Sequence, residues 1–322
     1  MTARLLLLLA GLAIPVAGFE AVARWIDAYP VPGAALSPTR PDLYTADPDV
    51  GYRLHPSLRT TIGYPPSNPR PLSLNANSDG FRSERELGGP DSRPRILVVG
   101  DSFVFGSGVE TTERFTEVLE WLEPQWRVDN LGMTGWGIDL MVRALEKFGA
   151  KARPDVVILA VYTDDFRRAG PTYAGLGFAI PRFRLIDGEL VSVPYPRPGF
   201  WRRLRAVEAM QRMRPAPDRN EYALNAALLD RYYDLTTELG ATPFVVFLPG
   251  RGDTPEDQQR RRFLARWASH HEVPYLDLTG PIHGAGVPRL YIPGNFHWNA
   301  DGHRTAAHHI YRELKALRPN LR

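Results

Sequence analysis

Short apolar runs alternate with longer amphipathic segments from residue 94 to the C-terminal region. Runs rich in β-branched and aromatic residues predict buried strands, and they lie at 95–99, 126–130, 156–161, 242–248 and 273–278. Apolar positions with helical spacing predict helices at 113–121, 140–148, 221–239, 255–270 and 300–317. Strands alternating with helices indicate an α/β fold with a central parallel sheet that helices cover on both faces.

The first 28 residues have the pattern of a targeting segment. Arg4 precedes an apolar stretch from Leu5 to Phe19, which is a charged region followed by a hydrophobic one. A cleaved signal peptide, an uncleaved membrane anchor and a buried core helix all fit this stretch. We favour an anchor over residues 5–26, because a helical pattern continues beyond Gly18. A signal peptide or an anchor would place the chain outside the cytoplasm, either periplasmic or secreted, and an anchor would hold it at the inner membrane.

Residues 29–93 precede the alternating strands and helices and do not share their pattern. This segment is rich in Pro and Gly, which predicts an extended, loop-rich lead-in, with a disordered linker as the alternative. Within it, Leu72 to Asn75 alternates as a strand does, and Asp79 to Arg82 indicates a turn with Phe81 as an aromatic plug.

A second interruption, residues 167–220, lies inside the predicted domain of residues 94–318. Residues 184–191 predict a hairpin around Asp187-Gly188. An insertion after a strand lies at the edge where α/β sheets bind ligands. It is therefore either a lid or substrate-contact element, or a passive surface loop.

Composition excludes several functional classes. Apolar residues make up 43% of the chain, which is enough for a sizeable core. The net charge of +3, without a basic run interleaved with aromatics, does not indicate a nucleic-acid partner. The absence of Cys excludes disulfides, thiolate metal sites and a Cys nucleophile.

Ser102 is the candidate nucleophile. It follows the predicted strand 95–99 in the segment Gly100-Asp101-Ser102, where the chain turns into a helix. Free N–H groups and the positive end of a helix dipole at such a turn stabilise developing negative charge. Ser is also a common helix N-cap, so the segment alone is a weak signal.

A serine nucleophile needs a base, which is usually His. His297 stands in the loop before the last predicted helix, and this helix packs next to the first strand in folds of this kind. His303, His308 and His309 lie within that helix and are expected to be surface or packing residues. These histidines have no matching carboxylate spacing, so no metal site is predicted.

On the basis of these residues, the chain resembles the SGNH (GDSL-type) hydrolase superfamily, and in particular a bacterial exported or membrane-anchored subgroup. Four segments match the family's blocks in order, and they are residues 99–106, 129–135, 162–166 and 295–299. The resemblance covers about residues 72–316 and also includes the lead-in from Asn75 through Arg82. It implies a three-layer α/β/α, flavodoxin-like fold and a serine esterase acting on ester bonds without a metal or cofactor.

The resemblance also implies roles for individual residues. Ser102 would attack an ester carbonyl, and His297 would take and return the proton. The backbone N–H groups of Ser102 and Gly135 would line the oxyanion hole, with Asp101 as a supporting residue.

Two positions depart from the family pattern. Asp164, followed by Asp165 as a supporting residue, stands where the family places an oxyanion-binding Asn. The family also places an acidic residue shortly before the catalytic His, where this chain has Gly294 and Asn295. Asn295 would orient the imidazole but would stabilise its cation less than an acid does. Three interpretations follow. Asp164 is kept protonated and donates to the oxyanion, or one of the two aspartates helps position His297, or the site binds ligands without hydrolysing them.

Three functions fit these residues. The first is a serine esterase whose partner is an ester-bearing small molecule, an acylated glycan or a lipid. The second is an O-acyltransferase that modifies an exported polysaccharide with the same Ser-His pair. The third is a non-catalytic glycan-binding protein, which the two departures favour.

Overall fold

The computed structural model describes residues 40–64, 68–169, 180–193 and 221–317, together with isolated positions at 11, 15, 17–19, 21 and 178. The strands of this part are β1 (Tyr44–Asp47), β2 (Gly51–Leu54), β3 (Arg59–Tyr64), β4 (Asn68–Asn75), β5 (Arg95–Gly100), β6 (Arg127–Gly132), β7 (Val156–Tyr162), β8 (Arg182–Ile186), β9 (Glu189–Val193), β10 (Thr242–Leu248) and β11 (Tyr275–Asp277). The helices are α1 (Ser102–Phe105), α2 (Phe115–Leu122), α3 (Ile138–Ala152), α4 (Asp165–Arg168), α5 (Glu221–Glu238), α6 (Pro255–His270), α7 (Thr279–Gly284), α8 (Val287–Leu290) and α9 (Ala300–Leu317).

Five strands form the central sheet in the order β11-β10-β7-β5-β6, and every pairing in it is parallel. With β5 counted as its first strand, this is the doubly wound order of flavodoxin-like folds. The order reverses between β5 and β7, so the crevice of the fold opens beyond the carboxyl ends of these two strands. The α/β fold expected from the sequence is confirmed.

Helices cover both faces of the sheet because alternate strand residues point to opposite sides. Leu97 and Val99 of β5 belong to the core that contains side chains of α3, α5 and α6. Ile96 and Val98 belong to the core on the other face, which contains side chains of α2 and α9. The result is the three-layer α/β/α arrangement.

Residues 40–93 differ from the loop-rich lead-in expected from the sequence. They contain two antiparallel hairpins, β1–β2 and β3–β4. The apolar side chains of these hairpins enter the same core as α3, and those with at most 4% exposure include Tyr44, Tyr52, Leu54, Ile62, Leu72 and Leu74. The density of Pro and Gly hides this pattern, because such short paired strands tolerate Pro and end at Gly turns.

The turn expected at Asp79 to Arg82 is confirmed. Gly80 has a φ of 78°, and a Cβ there would overlap with the backbone carbonyl of Leu54. The turn inserts Phe81, which is fully buried and meets Trp136 and Phe148 edge-on at ring centroid distances of 6.1 and 5.0 Å. Phe81 therefore packs the lead-in against the helical layer that contains α3.

Arg82 ties the lead-in to the segment that follows α1. Its buried guanidinium donates to the backbone carbonyls of Gly106 (2.7 Å), Val109 (2.9 Å) and Ser73 (3.0 Å). Burial and the nearby Arg114 lower the pKa of Arg82 to about 9. The side chain is thus held mainly by buried carbonyl oxygens. Water cannot reach these oxygens to replace the Arg82 donor.

Replacing Arg82 with Met is expected to lower the free energy of unfolding by about 2–4 kcal/mol, because buried carbonyls lose their donor. Chemical denaturation measures the change. Arg40→Met is the matched control, since Arg40 is 43% exposed in its ion pair with Asp42 and should lose less than about 1 kcal/mol. Equal losses in both variants would contradict the structural role of Arg82.

The hairpin expected in the insertion is confirmed. Strands β8 and β9 pair around Asp187 and Gly188, whose φ angles of 53° and 87° suit a two-residue turn. Arg182 on this hairpin donates to the carbonyl of Arg168 in α4 at 3.2 Å. The hairpin therefore lies beside α4, and its role as a lid or substrate contact stays a prediction.

Most of the predicted targeting segment, residues 5–26, lies outside the described residues. Within the part of the chain that the structure describes, no helix combines the length and the apolar character that a membrane crossing requires.

Candidate active site

The nucleophile turn connects β5 directly to α1. Asp101 caps α1, because its Oδ1 accepts the backbone N–H of Phe103 at 2.9 Å. Gly100 has no room for a side chain, since a Cβ there would overlap with Val104 and lie 2.9 Å from the carbonyl oxygen of Ala160. This close approach places Ser102, which is 2% exposed, at the carboxyl edge of the sheet.

The structure brings His297 to Ser102. The Nε2 atom of His297 lies 2.8 Å from the Oγ atom of Ser102. The imidazole packs 5.3 Å from the ring of Phe103, and the adjacent Trp298 packs on the same ring at 4.8 Å. The loop before α9 thus presents the imidazole to the first turn after β5.

Asn295 orients the imidazole of His297. Its Oδ1 lies 2.9 Å from Nδ1 of His297 and accepts the backbone N–H of the same residue at 3.0 Å. Because an amide oxygen only accepts, Nδ1 carries the proton and Nε2 is left to accept from Ser102. Arg251 donates to the carbonyl of Asn295 at 2.7 Å and holds the loop. The three side chains form a Ser-His-Asn relay.

Burial keeps the imidazole neutral. Burial first, and then the positive charge of Arg168, together lower the pKa of His297 from 6.5 to about 3. A neutral imidazole is the form that acts as a general base. The acidic decline of kcat/KM, if His297 is the base, is therefore expected well below pH 6.5.

His303 is a packing residue rather than a site residue. It is 1% exposed, stacks on Phe115 and accepts the backbone N–H of Phe115 at 3.4 Å. Burial lowers its pKa to about 3 as well. Among the described residues, no group of three or more His, Cys, Asp or Glu side chains could hold a metal ion.

Because His297 and His303 are buried, the free energy of unfolding is expected to depend on pH. Between pH 6.5 and about 3 the unfolded chain protonates these groups while the native chain does not, so the free energy of unfolding falls as the pH is lowered. Each histidine contributes up to about 1.4 kcal/mol per pH unit. Denaturation series at several pH values should show a shallower slope for His303→Gln. The exposed His308→Gln should keep the wild-type slope, and an unchanged slope in His303→Gln would contradict this assignment.

Arg168 is a site residue that the sequence did not reveal. Its Nη1 donates to Asp101 Oδ2 at 2.8 Å, to Asp165 Oδ1 at 2.7 Å and to the carbonyl of Trp136 at 3.3 Å. Asp165 is fully buried, and its Oδ2 accepts the backbone N–H of Tyr162 at 2.8 Å. Burial, and then the nearby charge of Asp101, raise the pKa of Asp165. One guanidinium thus joins the turns that follow β5, β6 and β7.

The segment with Gly135 lies beside the nucleophile turn. The backbone N–H of Met133 donates to the carbonyl of Gly100 at 3.1 Å, and Gly135 has a φ of 77°. The lead-in supports this segment, because the Tyr52 hydroxyl donates to the carbonyl of Thr134 at 2.7 Å. The arrangement is compatible with a role for Gly135 in an oxyanion hole, which stays a prediction.

Asp164 has a more open environment than its neighbour. Its side chain is 38% exposed, and its carboxylate lies 3.4 Å from Nη2 of Arg167. This is not the apolar pocket that the hypothesis of a protonated, donating Asp164 requires.

Asp165 is engaged elsewhere, because its carboxyl group binds Arg168 and the backbone N–H of Tyr162. The two ring nitrogens of His297 meet Asn295 and Ser102. Positioning of His297 therefore falls to Asn295.

Ser102, His297 and Asn295 thus lie together at the carboxyl edge of the sheet in a flavodoxin-like fold. The GDSL-like Lipase/Acylhydrolase family model matches residues 98–305, and the chain belongs to this family. The family hydrolyses ester bonds, so the protein is an ester-bond hydrolase.

Solved structures with a similar fold include several esterases. The psychrotrophic esterase EstA from Pseudoalteromonas sp. is 12% identical, with 70% of this chain and 99% of that chain covered at a TM-score of 0.47. The acetylxylan esterase Axe2 from Geobacillus stearothermophilus is 14% identical, with 70% and 95% covered at 0.46. A member of the lipolytic protein G-D-S-L family from Veillonella parvula is 13% identical, with 70% and 98% covered at 0.44. No curated protein matches the chain significantly.

Proposed function

We propose that the protein is a serine esterase in which Ser102 is the nucleophile and His297 is the general base. The observation that carries this proposal is the 2.8 Å contact between Ser102 Oγ and His297 Nε2, with Asn295 on the other ring nitrogen. The buried, neutral imidazole is ready to accept the hydroxyl proton. The Ser102-His297 pair is the nucleophile-base arrangement that covalent catalysis requires.

The reaction would proceed in two halves. Ser102 Oγ attacks the ester carbonyl while its proton moves to Nε2 of His297, and the tetrahedral intermediate collapses as that proton passes to the leaving alcohol. Water then attacks the acyl-serine, His297 takes its proton, and the Ser102 hydroxyl is restored as the carboxylic acid leaves. Backbone N–H groups of Ser102 and Gly135 would stabilise the oxyanion.

An acylated glycan or a lipid is the substrate class that we propose. The exposed surface beside the relay carries an aromatic ring, because Phe296 is 44% exposed and packs 4.1 Å from the His297 ring. Phe296 also stacks on Tyr162 at 6.2 Å. A ring fixed in this way offers a face to a sugar ring or to an acyl chain.

The test is an assay of the full chain on p-nitrophenyl esters of increasing acyl length, alone and with an unacylated oligosaccharide acceptor. Release of the carboxylic acid supports the esterase, and a preference for acetate over long chains supports an acylated glycan over a lipid. Acyl groups appearing on the oligosaccharide by mass spectrometry would establish an O-acyltransferase instead. Oligosaccharide binding without any turnover would identify a glycan-binding protein and refute the proposal.

An extracytoplasmic location is a further part of the proposal. It rests on Arg4 and the apolar stretch from Leu5 to Phe19. Fractionation of cells that express the full chain and a chain lacking residues 1–28 tests it. Equal recovery of both chains from the cytoplasm would overturn it.

A further inference from the structure

The hydroxyl of Ser102 has two acceptors within reach. His297 Nε2 lies 2.8 Å from Ser102 Oγ, and Asp101 Oδ2 lies 3.2 Å from the same atom. A hydroxyl has one proton to donate. Only the hydrogen bond to His297 prepares the serine for attack, so an ionised Asp101 competes with the base.

Arg168 occupies the competing acceptor. Its Nη1 donates to Asp101 Oδ2 at 2.8 Å, and Oδ2 is the oxygen that faces Ser102. The other oxygen of Asp101 accepts the N–H of Phe103 at 2.9 Å. The Asp101 carboxylate is therefore engaged at both oxygens, and a cation balances its charge.

The position of the Arg168 guanidinium is fixed from a second direction. Asp165 Oδ1 accepts from the same Nη1 at 2.7 Å, and Asp165 is itself anchored by the backbone N–H of Tyr162 at 2.8 Å. The Arg168 side chain is only 10% exposed. In such a water-poor setting an ion pair acts strongly on a neighbouring hydroxyl.

We propose that Arg168 is a positioning residue that directs the Ser102 hydroxyl toward His297 by engaging Asp101 Oδ2. The inference rests on the proposed function, because it assigns Arg168 to the same nucleophile. Arg168 also offsets the negative charge of Asp101, which would otherwise repel the oxyanion that forms next to Ser102.

The test compares Arg168→Met in two backgrounds, the wild-type chain and Asp101→Asn. In the wild-type chain, kcat on p-nitrophenyl acetate should fall by about 100-fold with KM nearly unchanged, as for other misplaced catalytic groups. The rate at which a fluorophosphonate labels Ser102 should fall in parallel. In the Asp101→Asn background the same change should cost much less, because the neutral amide no longer competes for the hydroxyl as a carboxylate does.

Compared with Arg168→Met, Arg168→Lys should recover part of the lost kcat, since its ammonium still donates to Asp101. If Arg168→Met does not fold, Arg168→Lys is the variant that tests the inference. Arg127→Met is the matched control for lost stability. Arg127 is also buried between two carboxylates, Asp129 at 3.1 Å and Asp91 at 3.6 Å, but it lies at the opposite end of the sheet. It should keep the wild-type kcat.

Equal losses from Arg168→Met in both backgrounds would overturn the inference, as would an unchanged labelling rate. The proposed function fails by a different result, which is turnover that survives Ser102→Ala. If turnover depends on Ser102 while a folded Arg168→Met chain retains its kcat, only the role of Arg168 is wrong.

Discussion

Replacing Ser102 with alanine is expected to lower kcat on p-nitrophenyl acetate by about 10⁴–10⁶-fold, which is the size of effect known for serine nucleophiles. The reason is chemical, because the Ser102 hydroxyl that lies 2.8 Å from His297 Nε2 is the group that would attack the ester. Ser102 is the first residue of α1, and alanine is compatible with that helix position. The variant should therefore unfold at nearly the wild-type denaturant concentration, which separates lost chemistry from lost structure.

Ser107→Ala is the matched control for this experiment. Ser107 is 1% exposed and follows the same short helix, and its N–H donates to the carbonyl of Ser102. Its hydroxyl has no hydrogen-bond partner among the residues that the structure describes, so its removal should leave kcat unchanged. His297→Gln should reproduce most of the Ser102→Ala loss, because the two residues act as a unit. Turnover or fluorophosphonate labelling that persists in Ser102→Ala would exclude Ser102 as the nucleophile.

The strength of the sequence patterns explains which parts of the fold were predictable. Strand β10 and helices α6 and α9 have the predicted bounds, because long apolar or amphipathic runs carry a clear period. Residues 40–93 carry only short alternations such as Leu72 and Leu74, interrupted by Pro. Whether such a segment forms strands depends on the core against which it packs, and that core includes side chains of α3, which begins only at Ile138.

The site was predictable to a similar extent. Ser102, His297 and Asn295 come together as the block order indicates, because the topology fixes where the ends of β5 and the loop before α9 lie. Arg168 was missed because it adjoins Arg167, and nothing local distinguishes the buried arginine from the exposed one. The i, i+3 spacing of Asp165 and Arg168 does not single out this pair either, because Asp164 and Arg167 have the same spacing.

Asp164 and Asp165 are chemically alike but differ in their surroundings. Asp165 is buried and bound by Arg168, so it organises the turns of the site. Asp164 is 38% exposed and faces Arg167. If Asp164 occupies the position of the family's oxyanion-binding Asn, the site lacks one donor, and its activity would rest on the backbone N–H groups alone.

Asp164→Asn is therefore expected to raise kcat by up to about 10²–10³-fold, which is the contribution of one oxyanion-hole donor. The amide supplies an N–H where the carboxylate supplies only acceptors. The gain should be in kcat rather than KM, because the oxyanion exists only in the transition state and the tetrahedral intermediate. Steady-state kinetics on p-nitrophenyl acetate measure it.

Asp165→Asn is the control for the Asp164 experiment. The same change at this neighbouring position disturbs the contact between Arg168 Nη1 and Asp165 Oδ1 and should lower kcat rather than raise it. A gain confined to Asp164→Asn, and abolished by adding Ser102→Ala, would mean that the chain holds a complete nucleophile relay beside a weakened oxyanion hole.

If Asp164→Asn leaves kcat unchanged or lower, the carboxylate does not stand at the oxyanion. The limit on the rate would then lie in the Ser-His-Asn relay, where Asn295 stabilises the imidazolium less than an acid would.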